Sequence, residues 1–292
     1  MEPRVPIPEN VLTAIGVADT TDVTPVGGGL SGANLWRVSR AGPNPDLLLR
    51  LIPHSDLPTV EHEAAFQRRA HDAGIPTPGI VFTGPVDGCP VIAMEWLAGR
   101  TMLERVSSAP ERAEPLGRAS GEILRRIHGL IPVDNLASGG YVNRRLTTIE
   151  PWLADLVTTG DRPPAALHAD YHPGNLLVDD DGRLAVLDST NASVGDPLID
   201  LGRTFACLRL GAALHGDTLG RETIEDWWRG LVAGYGATGR TIEELAPFFA
   251  FGLVTLVDDR MRRPDESVPE AAVQELIAQR DAWLSLAQRS AG

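Results

Sequence analysis

The chain has 292 residues, of which 43% are apolar and 22% charged, so it can bury a large core as one domain or as two lobes. Its net charge of −13 disfavours nucleic acid as a partner and would tolerate a cationic ligand. All 26 basic residues are arginine, which excludes every mechanism that needs a lysine amine.

Charge alone does not identify a ligand, because the surplus of acidic residues is equally explained by solubility. The longest strongly apolar run, Phe248 to Val257, contains Gly252 and ends at Asp258, far short of the ~20 residues that a membrane-spanning helix requires. The first ten residues have no apolar signal core. We therefore expect a cytoplasmic protein with no membrane association, in which Cys89 and Cys207 are reduced.

A short helix is predicted from Glu9 to Ile15, and a glycine-rich stretch follows from Val26 to Val38. Taken alone, that stretch is typical of a flexible hairpin between two strands. It could also let bare backbone N–H groups approach phosphate oxygens, because glycine leaves the backbone uncovered. Its position in the chain has to decide between these two interpretations.

An apolar strand is predicted from Leu47 to Ile52, and it contains one charge, Arg50. A buried arginine in such a strand needs a partner. A helix with acidic residues in its first turn is predicted from Thr59 to Ala73. Glu63 is the expected partner of Arg50, and Glu61 is the alternative. Arg50 could instead reach solvent at the end of the strand.

A buried strand that runs into a turn is predicted from Val91 to Gly99. We expect a boundary between two lobes there, with a hinge at about residues 94–99. Residues 1–96 then form the first lobe and residues 97–292 the second.

The second lobe is predicted to be mainly helical. Helical sequence extends from Thr101 to about Arg162. One apolar stripe in the first part consists of Leu116, Ala119, Ile123, Ile127 and Leu130. Three further helices are predicted at Glu222 to Tyr235, Ile242 to Arg260 and Pro269 to Gln288.

A β-hairpin is predicted between these helical parts. Leu176 to Val178 is a short apolar run, Asp179 to Gly182 is a turn cluster ending in Asp-Gly, and Arg183 to Leu187 alternates polar and apolar residues. The predicted register places Val178 opposite Arg183 across that turn.

That hairpin brings polar side chains together. In the predicted register Asn175 pairs with Val186, and Asp188 lies two residues further along on the same face. Asp170, in the preceding loop, can approach whatever these oxygen ligands bind. The sequence therefore predicts a site in this segment.

Other polar residues of the segment are expected to support it. His168 and His172 are interpreted as braces of the loop, since the sequence offers no nearby cysteine or second histidine cluster to complete a zinc site. Asp196 and Asp200 are expected to cap a helix or brace the loop, and His128 is expected to be structural.

The order of these elements resembles the protein-kinase-like fold, and more closely its aminoglycoside phosphotransferase and choline kinase branch. His168–Asn175 reads HADYHPGN and matches the family's H-x-D-x-H-P-G-N; Gly195–Leu201 reads GDPLIDL and matches G-D-P-x-x-D-L. The resemblance covers roughly residues 22–260. It implies an α+β, bilobal fold, with an antiparallel sheet plus helix in the N-terminal lobe and a larger, mainly helical C-terminal lobe.

The resemblance also implies roles for individual residues. Asp170 is expected to accept or orient the acceptor hydroxyl, while Asn175 and Asp188 hold Mg²⁺. The phosphate donor would be ATP or GTP. Arg50, paired with Glu63, takes the position where most relatives have a phosphate-binding lysine, and its planar fork can bind phosphate.

The remaining nucleotide contacts implied by the resemblance come mostly from backbone. They lie in the glycine-rich stretch, which would contact the phosphates, and in the hinge, which would contact adenine. The residues are Gly28, Gly29, Ser31 and Asn34 in the first segment, and Glu95, Trp96 and Leu97 in the second. The sequence departs from the family pattern at Ala169 and Tyr171, where glycine and leucine are commoner.

The implied activity is small-molecule O-phosphorylation by a monomer or homodimer. The acceptor could be an aminoglycoside or other antibiotic, which would make the protein a resistance enzyme, or an amino sugar, a choline-like compound or another metabolite. Residues that could bind a cationic acceptor, although core packing is the commoner role for such aromatics, are Trp227, Trp228, Tyr235, Asp258 and Asp259. The alternatives are a non-catalytic nucleotide-binding relative with a regulatory role and a metal-dependent phosphohydrolase.

Overall fold

The structure is a computed structural model that describes residues 9–17, 19–27, 34–52, 57–134, 136, 140–262 and 268–291. The chain divides into two compact units, Met1–Ala98 and Gly99–Gly292. Within the described ranges, none of the helices combines the length and the apolar character needed to cross a membrane.

The first unit is an antiparallel five-stranded sheet with two helices. Its strands, in the spatial order β1-β2-β3-β5-β4, are β1 Thr20–Pro25, β2 Asn34–Arg40, β3 Leu47–Leu51, β4 Ile80–Val86 and β5 Cys89–Glu95. The helices are α1 Glu9–Ala14 and α2 Leu57–Asp72. Helix α2 begins two residues before the predicted start, with Pro58 in its first turn, where a missing N–H is tolerated. The prediction of acidic residues in the first turn is therefore wrong.

Strand β3 decides where Arg50 points. Successive side chains of a strand alternate between the two faces of the sheet. Leu47, Leu49 and Leu51 enter the core cluster that also contains residues of α1. The opposite face packs against α2 through Ile92 and Met94 of β5. Arg50 lies on this second face, opposite Ile92, and is therefore directed toward α2.

The second unit is mainly helical. Its helices are α3 Met102–Ser108, α4 Ala113–Leu130, α5 Tyr141–Leu146, α6 Pro151–Thr158, α7 Leu198–Leu219, α8 Arg221–Tyr235, α9 Ile242–Arg262 and α10 Glu270–Ala291. Its strands are β6 Arg100–Thr101, β7 Ala165–Leu167, β8 Leu176–Val178, β9 Leu184–Val186 and β10 Ser193–Gly195, which pair antiparallel as β6-β8-β9 and β7-β10. Together with the sheet of the first unit, this confirms the predicted α+β fold class.

Helices α4 and α8 pack with their backbones almost in contact. A Cβ atom on Gly117 would lie 2.1 Å from the carbonyl oxygen of Trp227, and one on Gly234 would lie 1.9 Å from that of Arg118. The predicted stripe of α4 is wrong at its last member, because Leu130 is 50% exposed. The buried face also includes Gly117, Ser120 and Gly121, which an apolar periodicity does not register.

Helix α7 was not predicted as a separate helix, yet it crosses α9 at close range. A Cβ atom on Gly202 would lie 2.0 Å from the carbonyl oxygen of Phe248, and one on Gly252 would lie 2.1 Å from that of Gly202. Only glycine allows this approach. The crossing brings Arg203, the residue after Gly202, against Thr255 of α9.

The hairpin of β8 and β9 forms, but in a different register from the predicted one. Val178 pairs with Leu184 instead of Arg183, and Leu176 pairs with Val186. The connection is one residue longer than a two-residue turn, because Gly182 adopts φ +81° and adds a left-handed residue.

Candidate active site

The loop of residues 168–175, called here the 168–175 loop, connects β7 to a 3₁₀ turn at Pro173–Asn175. The side-chain amide nitrogen of Asn175 donates to the backbone carbonyl of Asp170 at 3.0 Å and to its carboxylate at 3.2 Å. The structure therefore joins two of the predicted site residues directly. The carbonyl oxygen of the same amide is the atom that Asn175 can offer to a cation.

Asp200 holds the start of this loop. Its carboxylate accepts backbone N–H donations from His168 at 2.8 Å and from Ala169 at 2.6 Å. His128 bonds the same carboxylate through Nε2 at 2.9 Å, and Tyr235 contacts the other ring nitrogen of His128 at 2.9 Å. Asp200 is fully buried, so these partners offset the loss of hydration of its charge. His128 and Asp200 are structural, as predicted.

Asp196 caps α7. Its carboxylate accepts from the backbone N–H of Leu198 at 2.9 Å and from Arg162 Nε at 2.9 and 2.7 Å through its two oxygens. A carboxylate at a helix start satisfies backbone N–H groups that have no partner within the helix. The predicted capping role of Asp196 is confirmed, and it fixes where α7 begins.

The two histidines of the loop act as braces. His168 bonds the carbonyl oxygen of Leu187 through Nε2 at 3.0 Å. His172 Nδ1 accepts from the backbone N–H of Gly174 at 3.1 Å, so the neutral ring carries its proton on Nε2. Burial lowers the pKa of His172, while the charges of Asp170 and Asp188 act in the opposite direction.

The expectation that no cysteine lies near His172 is wrong. Cys207 of α7 lies with its sulfur 3.7 Å from Asp170 Oδ1, and Asp170, His172 and Cys207 offer potential ligand atoms within 4.8 Å of one another. The tautomer of His172 directs an N–H, and not a lone pair, toward Asp170. The bracing role therefore stands for this reason. Burial raises the pKa of the Cys207 thiol to about 12.

Asp188 follows β9 in a conformation that strand geometry does not predict. Its φ is +58°, so its side-chain direction is not set by the alternation of the strand. Leu187 N–H donates to the carbonyl oxygen of Asn175 at 2.9 Å, which places Asp188 next to the residue that pairs with Asn175. Thr190 donates to Asp188 Oδ1 through its hydroxyl at 2.5 Å. The predicted pairing of Asn175 with Val186 is wrong by one residue.

An amide oxygen from Asn175 and a carboxylate from Asp188 are hard oxygen donors. Mg²⁺ prefers such ligands, one or two from the protein and the rest from water or substrate phosphates. The nature of these two side chains therefore fits the predicted metal.

In the first unit, Arg50 Nη1 donates to Glu63 Oε1. Both side chains are buried, at 8% and 2% exposure, and Arg50 lies on the sheet face that α2 covers. The predicted partner is therefore Glu63, and the exposed alternative for Arg50 is excluded. Buried charges of this kind persist only when they are paired.

The other predicted nucleotide-binding residues have different environments. Asn34 begins β2 opposite Leu51. The backbone N–H of Glu95 donates to Gly79 and that of Trp96 to Asp46, at 2.9 and 2.8 Å. Of the three residues predicted to contact adenine, Leu97 is the one whose backbone N–H has no protein acceptor in the described part of the chain. Gly28, Gly29 and Ser31 lie outside the described residues.

A cluster of polar and charged residues lies near Asp170; the sequence pointed to its members Asp258 and Asp259 but not to Tyr141, Arg145 or Arg203. Tyr141 of α5 donates its hydroxyl to Asp259, and Arg145 pairs with Asp258 at 3.2 Å and Asp259 at 3.5 Å. Burial raises the pKa of Tyr141 to about 12, so the hydroxyl stays protonated. Arg203 of α7 contacts Asp170 and Asp259 at 3.8 and 4.0 Å. The one sequence signal for Arg203 is its helical spacing of three residues from Asp200.

The aromatic candidates for acceptor binding belong largely to the core. Trp227 is 1% exposed, and Trp228 makes edge contacts with Phe205 and Phe249. Tyr235 is engaged with His128. The carboxylates of Asp258 and Asp259 are about one-third exposed and are already paired with arginine.

Comparison with known proteins gave one family and many similar folds. Residues 22–248 match the sequence family described as "Phosphotransferase enzyme family". No curated protein sequence matches the chain.

Three solved structures illustrate the shared fold. A type VIII aminoglycoside-3′-phosphotransferase is 19% identical, with a TM-score of 0.58 over 82% of this chain and 96% of that one. The Plasmodium vivax ethanolamine kinase is 12% identical, with a TM-score of 0.65 over 91% of this chain and 84% of that one. The streptomycin–ATP ternary complex of APH(2″)-IIa is 14% identical, with a TM-score of 0.60 over 90% of this chain and 92% of that one.

Proposed function

The chain belongs to the phosphotransferase enzyme family, and we propose that it transfers the γ-phosphate of ATP or GTP to a hydroxyl group of a small molecule. The observation that carries the proposal is the contact between Asp170 and Asn175 within a loop held by α7. Phosphoryl transfer requires positioning and charge stabilisation more than a covalent nucleophile. A carboxylate fixed by a neighbouring amide meets that requirement.

Asp170 is the residue that orients the acceptor hydroxyl and takes up its proton. Its side chain is 27% exposed, so an acceptor can reach it. The carboxylate is fixed from within the loop by Asn175 and approached from α7 by Arg203. A base held in this way loses little freedom when the acceptor binds.

Asn175 and Asp188 would hold Mg²⁺, for which their oxygen atoms are suitable ligands. When bound, Mg²⁺ would neutralise charge on the donor phosphates. Thr190 orients the Asp188 carboxylate, and the donation from Asn175 to Asp170 orients its amide. These two residues therefore supply oxygen ligands in fixed orientations.

The first unit would bind the donor nucleotide. Arg50, held by Glu63, supplies the positive charge that relatives take from lysine, and its guanidinium can bind phosphate oxygens. The backbone N–H of Leu97 is suited to bind the base, because those of Glu95 and Trp96 are engaged within the protein. We accordingly assign residues 1–96 to nucleotide binding, residues 94–99 to the hinge and residues 97–292 to catalysis and acceptor binding.

The acceptor is a small molecule with a free hydroxyl. The names of similar structures include an aminoglycoside phosphotransferase and an ethanolamine kinase, so amino sugars and amino alcohols are the first compounds to test.

The decisive experiment measures nucleotide consumption and phosphorylated product with ATP and GTP, with and without Mg²⁺, against aminoglycosides, amino sugars, ethanolamine, choline and other hydroxylated metabolites. We expect Mg²⁺-dependent turnover with at least one acceptor. Asp170→Asn should reduce kcat by about 10²–10⁴-fold and leave nucleotide affinity unchanged.

Two results would contradict the proposal. Tight nucleotide binding with no phosphorylated product for any acceptor would indicate a regulatory relative. Phosphate release that no acceptor stimulates, and that survives replacement of Arg50, would indicate a phosphohydrolase.

A further inference from the structure

Arg203 of α7 connects the 168–175 loop to α9. Its Nε donates to the backbone carbonyl of Ala169 at 3.1 Å, and its Nη1 donates to Thr255 Oγ1 at 3.0 Å. Its Nη2 lies 3.8 Å from Asp170 Oδ1. The three nitrogens of one planar group therefore contact two parts of the loop and one helix. Arginine can do this because its donors form a rigid fork.

The residue before Asp170 has an unfavourable backbone conformation. Ala169 has φ +59°, a region that residues with a Cβ atom rarely adopt. Its N–H donates to Asp200 Oδ1 and its carbonyl accepts from Arg203 Nε. Asp200 and Arg203 are three residues apart and so lie on the same face of α7. One face of α7 thus binds both the N–H and the carbonyl of Ala169, the residue whose backbone conformation sets the position of Asp170.

Further residues on the same face of α7 contact the 168–175 loop. Thr204 Oγ1 donates to the carbonyl of Tyr171 at 2.7 Å, and Cys207 Sγ lies 3.7 Å from Asp170 Oδ1. Of these residues, Arg203 is the one that contacts both the backbone carbonyl of Ala169 and the carboxylate of Asp170, and it does so with a permanent positive charge.

We propose that Arg203 is a positioning residue that fixes the Asp170 carboxylate for phosphoryl transfer. The inference rests on the proposed function, in which Asp170 orients the acceptor hydroxyl. Arg203 is 2% exposed and its charge is further surrounded by the Tyr141 ring, at 4.7 Å, and by Asp259. It therefore acts through Asp170 and does not contact an acceptor itself.

The crossing of α7 and α9 fixes Arg203 in turn. Two glycines meet at the crossing. Gly202 immediately precedes Arg203, and Gly252 lies three residues before Thr255. Thr255 is fully buried, and its hydroxyl also donates to carbonyls of its own helix. The Thr255 hydroxyl that accepts from Arg203 Nη1 is therefore held by its own helix, and it helps to orient the guanidinium.

Arg145 provides a matched control. It is also buried, at 6% exposure, pairs with Asp258 and Asp259, contacts α9 through the carbonyl of Thr255 at 3.1 Å, and lies 5.8 Å from the Tyr141 ring. In the described part of the chain its hydrogen bonds and ion pairs do not include residues 168–175. A general effect of removing a buried arginine should appear equally at both positions.

The experiment compares Arg203→Lys and Arg203→Met with Arg145→Lys and Arg145→Met in the full chain. Initial rates are measured with ATP and Mg²⁺, with water as the acceptor until a better acceptor is found, and Asp170→Asn sets the floor. Thermal unfolding is recorded for each variant. Amide hydrogen exchange is followed in peptides that cover residues 168–175.

We expect both Arg203 variants to lose about 100-fold in kcat, with the KM for ATP changed less than about twofold, because a displacement near 1 Å has this effect on oriented groups. Exchange at the amides of residues 169–171 should accelerate. The Arg145 variants should keep kcat within about threefold, and exchange in the loop should stay slow, even where they lose as much thermal stability.

Three results would overturn the inference. The first is an Arg203→Lys variant that is folded and as active as the unmodified protein, with Asp170→Asn inactive; the proposed function would then stand without a role for Arg203. The second is an equal loss at Arg145 and Arg203. The third is full turnover by Asp170→Asn, which removes the proposed role of Asp170 as well. If hydrolysis is too slow to measure, equal exchange rates in the two sets of variants overturn the inference by themselves.

Discussion

The side-chain amide of Asn175 donates to the Asp170 carboxylate at 3.2 Å and to the Asp170 carbonyl at 3.0 Å. Asn175, the proposed metal ligand, thus directly orients Asp170, the residue proposed to orient the acceptor hydroxyl. A cation bound to the amide oxygen would fix the amide, and through its nitrogen the carboxylate. In the proposed function, metal binding and orientation of the base would therefore be coupled through the side chain of Asn175.

Asn175→Ala should raise the Mg²⁺ concentration for half-maximal activity by at least about tenfold, since it removes an oxygen ligand and releases Asp170. Titration of activity with Mg²⁺ at saturating nucleotide measures the change. Asn44→Ala, at an exposed asparagine of the first unit, should leave the titration unchanged. An unaltered Mg²⁺ requirement in Asn175→Ala would remove Asn175 from the metal site.

Arg50→Met should destabilise the protein by about 3–5 kcal/mol, because it leaves the buried Glu63 carboxylate without its guanidinium partner. Adding Glu63→Leu should recover much of this loss, since two apolar side chains need no ion partner. Denaturant unfolding followed by circular dichroism measures both variants. Arg68→Met, at an exposed position of the same helix as Glu63, is the control and should leave stability nearly unchanged. A double variant no more stable than Arg50→Met would contradict this account.

Gly202→Ala should destabilise the second unit by more than about 3 kcal/mol, because the new Cβ would lie 2.0 Å from a carbonyl oxygen of α9 and the helices would have to separate. Gly211→Ala is the control on the same helix. Its Cβ would meet no atom within 4 Å, so better helix propensity should stabilise the protein by about 0.5–1 kcal/mol. Opposite signs in denaturant unfolding confirm the close crossing, and equal effects would contradict it.

The thiol of Cys207 should be nearly inert at pH 8. Its pKa is raised to about 12, so its thiolate fraction is roughly 10³-fold smaller than that of a free cysteine with a pKa near 8.5. The Cys89→Ser variant leaves Cys207 as the one thiol, and iodoacetamide labelling can be followed by mass spectrometry in the native and the urea-unfolded protein. Labelling of the native protein as fast as of the unfolded one would contradict the raised pKa.

The same shift has a consequence for stability. Because the folded state keeps the Cys207 proton to a higher pH than the unfolded state does, the contribution of this group to stability should be lost as the pH rises above about 9. Cys207→Ala should be less sensitive to pH in that range when unfolding midpoints are compared.

Local sequence patterns predicted a large part of the molecule. The charge at Arg50 within an apolar strand indicated a partner in the helix that follows, but the sequence left Glu63 and Glu61 open, and the structure decided for Glu63. The motif around Asp170 and Asn175 was readable because its members are close in sequence. The strand register at Val178 was predicted wrongly, since one left-handed glycine changes the pairing without changing the apolar pattern.

The sequence by itself determined the family, the α+β fold class and the residues from which the candidate site is built, because these follow from local periodicity and from motifs of neighbouring residues. Only the tertiary structure decided that Arg203 and Cys207 reach Asp170, that Arg145 and Tyr141 occupy Asp258 and Asp259, and that Gly202 sets the distance to α9. These contacts join positions 33 to 118 residues apart, and no periodicity along one helix or strand encodes which side chain of another element it will meet.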